Sequence, residues 1–570
     1  MIAESFAKIS QEYEPLDRSA IKLPIPKEED VLQVSESEVL EVLRSMDATK
    51  AVPKNDVSTK IFKTFSEQLC GPITMLINEA IITGYWPEFL KVETVTPVPK
   101  VSHPQTMDDI RKICGLLNLS KILEKVICKY LVADMKDSLD KSQYANQKGL
   151  SINHYLIKLV DRVLGALDGS TKGENSAVIA TYLDWSKAFD RQDPTLAIKS
   201  FQANGVRPSL IPLLMSFFEE RTMKVKWHNV MSSSKKLPGG GPQGTSLGIW
   251  SYLSQTNDNP EEASQKDIFK FVDDKSLLEN VDLLNVGIAS HNFRERVPSN
   301  VPTSNIVIPS DNLRTQKYVR DIDSWTNLKK MKLNSKKTKN QIFNFSKKHQ
   351  FSTNIKINND NIETISEVKL LGTTITSDLS WSKNTKKIVQ DSNKRMQFLH
   401  RAKKFTNNVG DLKKIYMLQI RSKLEQSAAV WHSSLTMKDR KDLERVQKAA
   451  LRVILGDRYK SYEEALKTIK IDSLEERRQK ICLKFAKQCL RNEKLKDMFP
   501  RTQSGHKMDK RYKEKYVVKK TMTERFKKSA IPSMQRLLNK EEREKAEIFS
   551  RIKNTVPVNY GNLYASSLRK

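Results

Sequence analysis

Hydrophobic and polar positions follow helical spacing in some segments of the chain and form strand-like runs in others. Residues 35–46 (SESEVLEVLRSM) start with serine and acidic residues and then place apolar side chains on one side, which predicts a capped helix. Between 150 and 225 helical and β-rich stretches alternate, and this order predicts a sheet with helices packed on it. Further helices are predicted at 61–87, 119–135 and 152–168, and strands at 92–99 and 177–183.

Other segments depart from that alternation. A glycine cluster at 239–244 (GGGPQG) interrupts it, and a short strand–turn–strand pattern follows at 267–279 (DIFKFVDDKSLLE). From about residue 385 to about 500 the spacing is mostly helical. Residues 1–34 are polar and contain prolines, and within them residues 15–30 (PLDRSAIKLPIPKEED) look like an extended arm.

The composition indicates a folded protein with a polyanionic partner. Of the 570 residues 38% are hydrophobic and 29% are charged, which is too apolar for a disordered chain. A formal net charge of +31 causes self-repulsion unless a polyanion binds, so nucleic acid is the first candidate and an acidic membrane surface the second. The five cysteines have no CxxC spacing, and neither a zinc finger nor a disulfide framework is expected.

No segment of the sequence looks like a membrane span or a secretory signal. The longest apolar runs fall short of the roughly 18 residues that a transmembrane helix needs. The first residues mix acids into their apolar positions, unlike a signal peptide. We therefore expect an intracellular protein without membrane contact.

Two acidic sites stand in apolar surroundings. Asp184 ends the apolar run 177–183, and Asp273 and Asp274 lie at the predicted turn of the strand–turn–strand segment. Taken alone, Asp184 is equally explained as a helix cap or turn residue, and the Asp pair as a solvated turn. If the hairpin pairs beside the Asp184 strand, however, three carboxylates converge.

Three converging carboxylates would raise one another's pKa unless divalent cations bind them. Hard oxygen ligands suit Mg²⁺, which completes its coordination with water and phosphate oxygens. Two such ions can stabilise the attacking and the leaving oxygen of an in-line displacement. The hypothesis from the residues alone is therefore a two-metal phosphoryl-transfer site.

The order of five segments favours the converging arrangement. They are YLDWSKAFD (182–190), GGGPQGTSLG (239–248), FKFVDD (269–274), WTNLKKMKLNSKKTK (325–339) and VKLLGTTI (368–375). In this order and at this spacing the chain resembles the reverse transcriptase family, and within it the enzymes of non-LTR retrotransposons (LINE-like elements). The resemblance covers roughly residues 46–480, with FVDD matching the family's aromatic-X-Asp-Asp box.

The resemblance implies an α+β fold of the right-hand polymerase type, in which a palm with an antiparallel sheet lies between fingers and a helical thumb. The implied ranges are an N-terminal arm at 1–45, fingers at 46–175, palm at 176–345, a primer-grip region at 346–384, a thumb at 385–500 and a basic tail at 501–570.

The resemblance also assigns roles around the reacting groups. Asp184, Asp273 and Asp274 would hold two Mg²⁺ ions, with Mn²⁺ as an alternative, and Asp273 would make the closer metal contact. Asp190, six residues after Asp184, is interpreted as structural. Phe189 matches the aromatic gate that selects deoxynucleotides, with a core phenylalanine as the other interpretation.

Nucleotide binding is assigned by the resemblance to Gln243 and Gly244 in the glycine-rich segment and to Lys100 and Arg111 in the fingers. Glycines let a backbone approach a nucleotide, and cations stabilise the charge on transferring phosphates. The sequence departs from the family around the fingers: Ile110–Leu116 loses the usual Tyr and Pro, and Asn146–Ser151 loses a Phe and two Arg.

Two later segments complete the implied site. Lys337, in an NxxKT pattern, would protonate the leaving pyrophosphate, and a solvated basic face is the other interpretation. Leu370, Leu371 and Gly372 match the primer grip, a tight hairpin under the primer 3′ end.

The last part of the chain is strongly basic. In the segment 438–456 apolar residues form one helical stripe, and Arg445, Lys448 and Arg452 form a neighbouring one that could lie along a duplex. Residues 501–570 hold 19 Lys+Arg against 7 Asp+Glu, and Tyr512 and Tyr516 among their cations suit RNA binding or nuclear import; a disordered basic tail is the alternative.

The sequence therefore predicts an RNA-directed DNA polymerase that transfers nucleotides from dNTPs to a primer 3′-OH on an RNA template. A catalytically inactive nucleic-acid-binding remnant and an RNA-dependent RNA polymerase are the alternatives. The implied partners are template RNA, a DNA primer or target, and dNTPs, and the expected location is the nucleus with cytoplasmic assembly. With no preceding nuclease pattern and no Cys/His knuckle, we expect a polymerase segment: a truncated or predicted reading frame of such an element, or a domesticated copy.

Overall fold

The computed structural model describes most of the chain as helices and strands joined by short turns. The residues described are 1–23, 32–50, 56–168, 176–260, 265–282, 305–346, 350–502 and 515–555. The strands are β1 (Val92–Pro99), β2 (Ile110–Gly115), β3 (Ser176–Leu183), β4 (Thr222–Trp227), β5 (Val230–Met231), β6 (Lys235–Lys236), β7 (Ile268–Phe271), β8 (Asp274–Asp282), β9 (Asn305–Ile308), β10 (Lys339–Phe343), β11 (Gln350–Thr353), β12 (Lys356–Ile357), β13 (Asp360–Asn361), β14 (Glu363–Ile365), β15 (Glu367–Leu370) and β16 (Thr373–Thr376).

Helices surround the sheets and make up nearly all of the last third. They are α1 (Ile2–Ala7), α2 (Glu36–Arg44), α3 (Thr59–Thr64), α4 (Ser66–Thr83), α5 (Asn118–Asp134), α6 (Ile152–Asp168), α7 (Pro194–Ala203), α8 (Ile211–Phe218), α9 (Ser246–Gln255), α10 (Arg314–Leu328), α11 (Ser382–Phe405), α12 (Val409–Ile415), α13 (Ser422–Leu424), α14 (Ala428–Trp431), α15 (Met437–Leu455), α16 (Tyr462–Ile469), α17 (Leu474–Leu490), α18 (Glu524–Lys527) and α19 (Ala530–Thr555). The predicted cap of α2 is present as a reciprocal pair between Ser35 and Glu38.

The central sheet has the order β14-β10-β3-β8-β7, and β3 runs antiparallel to both of its neighbours. Strand β3 is buried on both faces, as its apolar run predicts. Val178, Ala180 and Tyr182 face the core that contains α6, because side chains alternate along a strand. Ala177 and Ile179 face the opposite core, formed with α10.

A second sheet has the order β2-β1-β4-β5, with β6 paired to β4. Strands β1 and β2 form an antiparallel pair, whereas β1 and β4 are parallel. Residues 222–236, which the sequence analysis grouped with the palm, therefore belong to the sheet that carries the predicted fingers strands.

The residues that precede the predicted extended segment 15–30 include a short helix. Residues 2–7 form α1, because Ala3 and Ala7 pack against Val95 and Met223 of the second sheet. Part of the predicted arm, residues 24–31, lies outside the described residues.

The C-terminal helices share one core. Leu443, Val446 and Ala450 of the predicted apolar stripe are buried in it, as expected. Of the neighbouring basic stripe, Lys448 lies 4.8 Å from the ring centroid of Tyr462. The two other residues of this stripe also have partners. Arg445 pairs with Asp442 at 2.8 Å, and the Arg452 guanidinium lies 5.2 Å from the ring centroid of Tyr459.

The described part of the predicted tail, residues 515–555, is folded. Phe526, Ile531 and Met534 are buried in the core of the C-terminal helices. Tyr516 is also buried, and its backbone N–H donates to the Asn539 side chain, so the prediction that Tyr516 contacts RNA is wrong. Tyr512 lies outside the described residues.

The fold mixes α-helices and β-sheets, as predicted, around an antiparallel central pair of strands. Among the helices within the described ranges, none combines the length and the apolar character that crossing a membrane requires.

Candidate active site

The predicted strand–turn–strand at residues 268–282 is present as a tight hairpin. Phe271 pairs with Asp274, so Val272 and Asp273 alone form the turn. Val272 has a φ of 58°, which is strained for a β-branched residue. Its N–H donates to the buried Gln143 side chain at 3.1 Å, and this contact helps to hold the strained turn in place.

The hairpin pairs with the strand that Asp184 ends, and this confirms the predicted neighbourhood of the three acids. The antiparallel register of β3 and β8 ends with Leu183 opposite Lys275, so Asp184 follows the last paired residue of β3 where β8 begins at Asp274. Their charges are close enough for Asp184 to raise the pKa of Asp274. Asp273, in the adjacent turn, completes the group.

Crowding and burial shift the pKa of each acid upward. Burial raises the pKa of Asp184. The positive charge of Lys337 opposes this rise and the negative charge of Asp273 adds to it, and the net shift is upward. The surrounding protein desolvates the Asp273 carboxyl and raises its pKa, although part of the residue is open to a cavity. Burial, with the Asp273 and Asp184 charges, raises the pKa of Asp274 to about 7.

The acids leave room for a cation ligand without forming a closed metal cage. The Asp184 Oδ2 atom is buried and accepts no hydrogen bond. Within the described ranges, however, no three His, Cys, Asp or Glu side chains are grouped closely enough to hold a metal ion by themselves. The donor chemistry fits a hard cation whose remaining ligands come from phosphates and water.

A cavity of about 720 Å³ opens beside the acids. Asp184 and Asp273 are among the acids that line it, and Lys100, Arg111 and Lys337 are among its cations. Phe189 and Gln243 also line it, whereas Asp274 and Gly244 do not. The structure thus brings together in one cavity six of the residues predicted to bind metal or nucleotide, together with Lys337, the predicted proton donor.

The cations of this cavity are held by backbone contacts as well as by acids. Lys100 Nζ donates to the Asp108 carbonyl at 2.7 Å, while Lys187 pairs with the Asp108 carboxylate at 3.0 Å. Burial and the charges of Lys337 and Arg111 lower the pKa of Lys100, as expected where like charges gather. A phosphate entering here would relieve that repulsion.

The glycine-rich loop that presents Gln243 packs against its surroundings by close backbone approach. A Cβ added at Gly239 would lie 2.5 Å from the Cβ of Tyr13, so only glycine fits there. Ser10 bonds both the N–H and the carbonyl of Gly239. At Gly241, a Cβ would lie 2.5 Å from the Gln192 Oε1 atom.

The same loop is hydrogen-bonded to the segment that carries Phe189. Gly241 N–H donates to the Phe189 carbonyl at 2.8 Å, and Gly240 N–H donates to the Gln192 carbonyl at 2.8 Å. The Phe189 ring stacks on the ring of Tyr252 at a centroid distance of 5.2 Å. The predicted gate is therefore half-buried, fixed on one side by Tyr252 and open to the cavity on the other.

Asp190 has the structural position that the sequence analysis gave it. Its carboxylate pairs with Lys112 Nζ at 2.9 Å, and Lys112 is nearly buried. Burial disfavours the charged lysine, but the Asp190 and Glu93 charges outweigh that and raise the pKa of Lys112. Lys112 is the residue that replaces the family's usual proline in Ile110–Leu116, so the departure introduces a buried ion pair next to the cavity.

The Leu370–Gly372 segment forms the tight hairpin that the sequence analysis predicted. Leu370 pairs with Thr373, and Leu371 and Gly372 form the turn with φ values of 47° and 81°. None of the three residues lines the cavity beside the acids. Its contact with a primer stays a prediction.

Two residues near the site were not singled out in the sequence. Glu124 of α5 is buried and accepts from the N–H groups of Ser246 and Leu247 at 3.0 and 3.3 Å, just after the glycine-rich loop. Burial raises its pKa to about 7. Tyr252, the support of Phe189, lies six residues after Ser246 in α9. The only sign of Glu124 in the sequence is an acid among the apolar positions of a helix. The sequence did not reveal that it accepts hydrogen bonds from the start of α9.

Comparisons with known proteins point to one class of enzyme. The chain is 26% identical over 257 residues to the RNA-directed DNA polymerase from mobile element jockey of Drosophila melanogaster, which is 43% of this chain and 27% of that protein. It is 22% identical over 404 residues to the probable RNA-directed DNA polymerase from transposon BS of the same species, 69% of this chain and 41% of that protein. It is 27% identical over 228 residues to the probable RNA-directed DNA polymerase from transposon X-element, also of that species, 39% of this chain and 24% of that protein.

Each match covers only part of the relative's length. The chain spans between about a quarter and two fifths of the length of these curated relatives. No family model matches the chain. The relatives confirm the resemblance that the ordered motifs indicated: this chain is similar to the reverse transcriptases of non-LTR, LINE-like retrotransposons.

Proposed function

We propose that this chain is an RNA-directed DNA polymerase that joins dNTPs to a primer 3′-OH on an RNA template. The observation that carries the proposal is the cavity in which Asp184 and Asp273 face Lys100, Arg111 and Lys337. A cavity lined by both acids and cations matches a metal-bound triphosphate, whose charge needs both. The names of the relatives support the same activity.

We further propose the right-hand layout for the described parts of the chain. The central sheet with the acids would be the palm, and the β1–β2 pair with Lys100 and Arg111 the fingers. The helices from residue 382 onward would be the thumb. The antiparallel pairing of β3 with the β7–β8 hairpin supports this, because it brings the acids together where these strands end.

In this proposal Asp184, Asp273 and Asp274 would hold two divalent cations, Mg²⁺ or Mn²⁺. The fit rests on the Asp184 Oδ2 atom, which is buried without a partner, and on the raised pKa of all three acids. When bound, such ions lower the pKa of a hydroxyl nucleophile and neutralise phosphate charge.

The residues of the chain itself would orient the reactants. Lys100 and Arg111 would bind the phosphates, which lowers the repulsion between these cations. Lys337 Nζ would donate a proton to the leaving pyrophosphate. Gln243 would contact the sugar or base from a loop whose position is fixed by close backbone contacts.

Phe189 would exclude the 2′-OH of ribonucleotides. Its ring cannot tilt away from the cavity without losing the contact with Tyr252, and this supports its role as a rigid gate. A rigid aromatic wall favours DNA synthesis over the RNA-polymerase alternative, since an RNA polymerase must admit the 2′-OH.

A primer-extension assay tests the proposal. The purified chain is given a DNA primer on an RNA template with Mg²⁺ and either dNTPs or NTPs. We expect extension with dNTPs, none after chelation, and an increase in NTP use of about tenfold or more in Phe189→Ala but not in Phe189→Tyr. Extension with NTPs alone, or none in the wild type although RNA is bound, would contradict it in favour of the two alternatives.

A further inference from the structure

The turn that carries Asp273 has a backbone conformation that its own residues do not favour. Only Val272 and Asp273 form this turn, and Val272 has a φ of 58°, in the left-handed region that β-branched residues rarely adopt. A residue keeps such a conformation only where its surroundings hold it there. Contacts from outside the turn should therefore decide whether the turn keeps its shape.

Gln143 supplies such a contact from the segment between α5 and α6. Its side-chain Oε1 accepts the N–H of Val272 at 3.1 Å and the N–H of Ala145 at 2.9 Å. The residue is only 5% exposed, so a substitution that removes this oxygen leaves two backbone N–H groups without their acceptor. One buried oxygen thus ties the turn to a second stretch of backbone.

The segment that carries Gln143 is itself fixed to strand β7. The Lys270 N–H donates to the Ser142 carbonyl at 3.0 Å, and the Tyr144 N–H donates to the Lys270 carbonyl at 2.9 Å. The Lys270 side chain, which is nearly buried, also forms an ion pair with Asp140. The support of the turn is therefore anchored to the strand that leads into the turn.

The far end of the same segment is held by residues that follow α17. Gln147 Nε2 donates to the Gln143 carbonyl at 2.8 Å, and Lys494 Nζ donates to Gln147 Oε1 at 2.7 Å. A Cβ added at Gly149 would lie 2.8 Å from the Asn492 Nδ2 atom, so the two segments approach closely. The position of Gln143 is thus fixed from both sides.

The shape of the turn affects the carboxylate of Asp273. Burial raises the pKa of Asp273, and the backbone N–H groups of Asp273 and Asp274 interact with the carboxylate and oppose that rise. Because these N–H groups belong to the turn and to the first residue of β8, a turn of another shape would move the carboxylate. A reacting group displaced by about 1 Å can cost about 100-fold in rate.

We propose that Gln143 is a positioning residue, which holds the Val272–Asp273 turn so that Asp273 faces the cavity beside the acids. Gln143 does not line that cavity, and it acts through the N–H of Val272. Its consequence for catalysis rests on the proposed function, whereas its effect on the turn and on cation binding can be measured without any polymerase activity.

Two substitutions of Gln143 test the proposal. Gln143→Met keeps the length of the side chain but removes the acceptor, whereas Gln143→Glu keeps oxygens that can accept both N–H groups. Binding of Mn²⁺ to the protein without nucleotide or nucleic acid is measured by electron paramagnetic resonance. We expect Gln143→Met to bind Mn²⁺ about tenfold more weakly and Gln143→Glu to bind at least as tightly as the wild type.

The kinetic expectation follows from the same contact. In primer extension, Gln143→Met should lower kcat by about tenfold or more and change the KM for dNTP by less than about threefold, because the residue supports the turn and does not contact the nucleotide. Gln143→Glu should recover most of the lost kcat.

The matched control is Gln535→Met among the C-terminal helices. Gln535 is also buried, and its Oε1 accepts a backbone N–H, that of Lys519, at 2.8 Å. This variant should lose stability in urea unfolding as Gln143→Met does, yet it should keep the Mn²⁺ affinity of the wild type. The pair separates positioning of Asp273 from a general loss of stability.

Four results would overturn the proposal: unchanged Mn²⁺ affinity in Gln143→Met, an equal loss of affinity in Gln535→Met, an equal loss in Gln143→Glu, or no Mn²⁺ binding by the wild type. A chain whose Mn²⁺ affinity depends on Gln143 but which extends no primer would support the positioning role and refute only the polymerase function.

Discussion

The cavity beside the acids has a floor and a wall that are built in different ways. The floor, β3 and the β7–β8 hairpin, is held by regular strand pairing between segments about 90 residues apart, with the acids at strand ends. In the wall, the β1–β2 pair has regular strand pairing of its own, but single contacts join that pair and the glycine-rich loop to neighbouring segments. Among them are the packing of Gly239 on Tyr13, the Lys112–Asp190 ion pair and the bonds of Glu124 to α9.

Because of this difference, we expect the floor residues to contribute mainly to catalysis and the wall residues mainly to the stability of the fold. The acids of the floor make few stabilising contacts; Asp184 Oδ2 makes none, and all three have a raised pKa. The polar groups of the wall are buried and paired, so their loss leaves a partner unsatisfied. Substitutions on the floor should affect catalysis, and substitutions in the wall should affect folding and nucleotide affinity.

The largest effect is expected on the floor. Asp273→Asn removes a charge that the proposed cations need, and primer extension should fall by about 10³-fold or more. Because the carboxyl is desolvated and crowded by like charges, the free energy of unfolding without metal should stay equal or rise. The measurements are extension rate and urea unfolding; a loss of stability with activity retained would contradict the distinction.

An acid of the wall should behave in the opposite way. Asp190→Asn leaves the nearly buried Lys112 without its anion and should lower the free energy of unfolding by about 3 kcal/mol. The double variant Lys112→Met/Asp190→Leu removes both charges and should recover much of that loss. Urea unfolding of both variants measures it, and a double variant no better than the single one would show that packing rather than charge holds the wall.

The wall also contains a pH-dependent contact. Burial raises the pKa of Glu124 to about 7, above its ordinary value of 4.5, so the folded protein holds this proton where the unfolded chain has lost it. The contribution to stability is therefore present below about pH 4.5 and is lost as the pH rises to 7. Glu124→Gln should match the wild type near pH 4.5 and exceed it by about 3 kcal/mol at pH 8. Urea unfolding at both pH values checks this, and a constant difference would contradict it.

The smallest effect is expected where the loop meets the N-terminal segment. Gly239→Ala places a Cβ against Tyr13 and should cost about 1–3 kcal/mol and raise the KM for dNTP more than it lowers kcat. The control Gly165→Ala in α6 meets only ordinary van der Waals contact, 3.8 Å from Phe526, and should be neutral or stabilising. Equal effects of the two would mean that the close approach at Gly239 does not matter.

Much of the floor could be predicted from the sequence because its signals are local. The apolar run before Asp184 and the acid pair between apolar residues each indicate their own strand end, and their convergence needed only one pairing, which the structure contains. The ordered motifs added the residues of the wall by resemblance. The tail was misjudged, because a high density of lysine and arginine hid the apolar positions of Phe526, Ile531 and Met534.

The sequence by itself indicated most helices and strands between residues 35 and 500, the positions of the acids beside them and a strong net positive charge, because periodicity and charge depend on neighbouring residues. Only the tertiary structure decided that Lys112 meets Asp190, that Glu124 meets α9 and that Tyr13 fills the space over Gly239. These contacts join segments 78, 122 and 226 residues apart, and no local pattern encodes which buried groups will face each other. The same reason hid the exposure of Met75, Leu76 and Ile82 in α4, which look like ordinary core positions in the sequence.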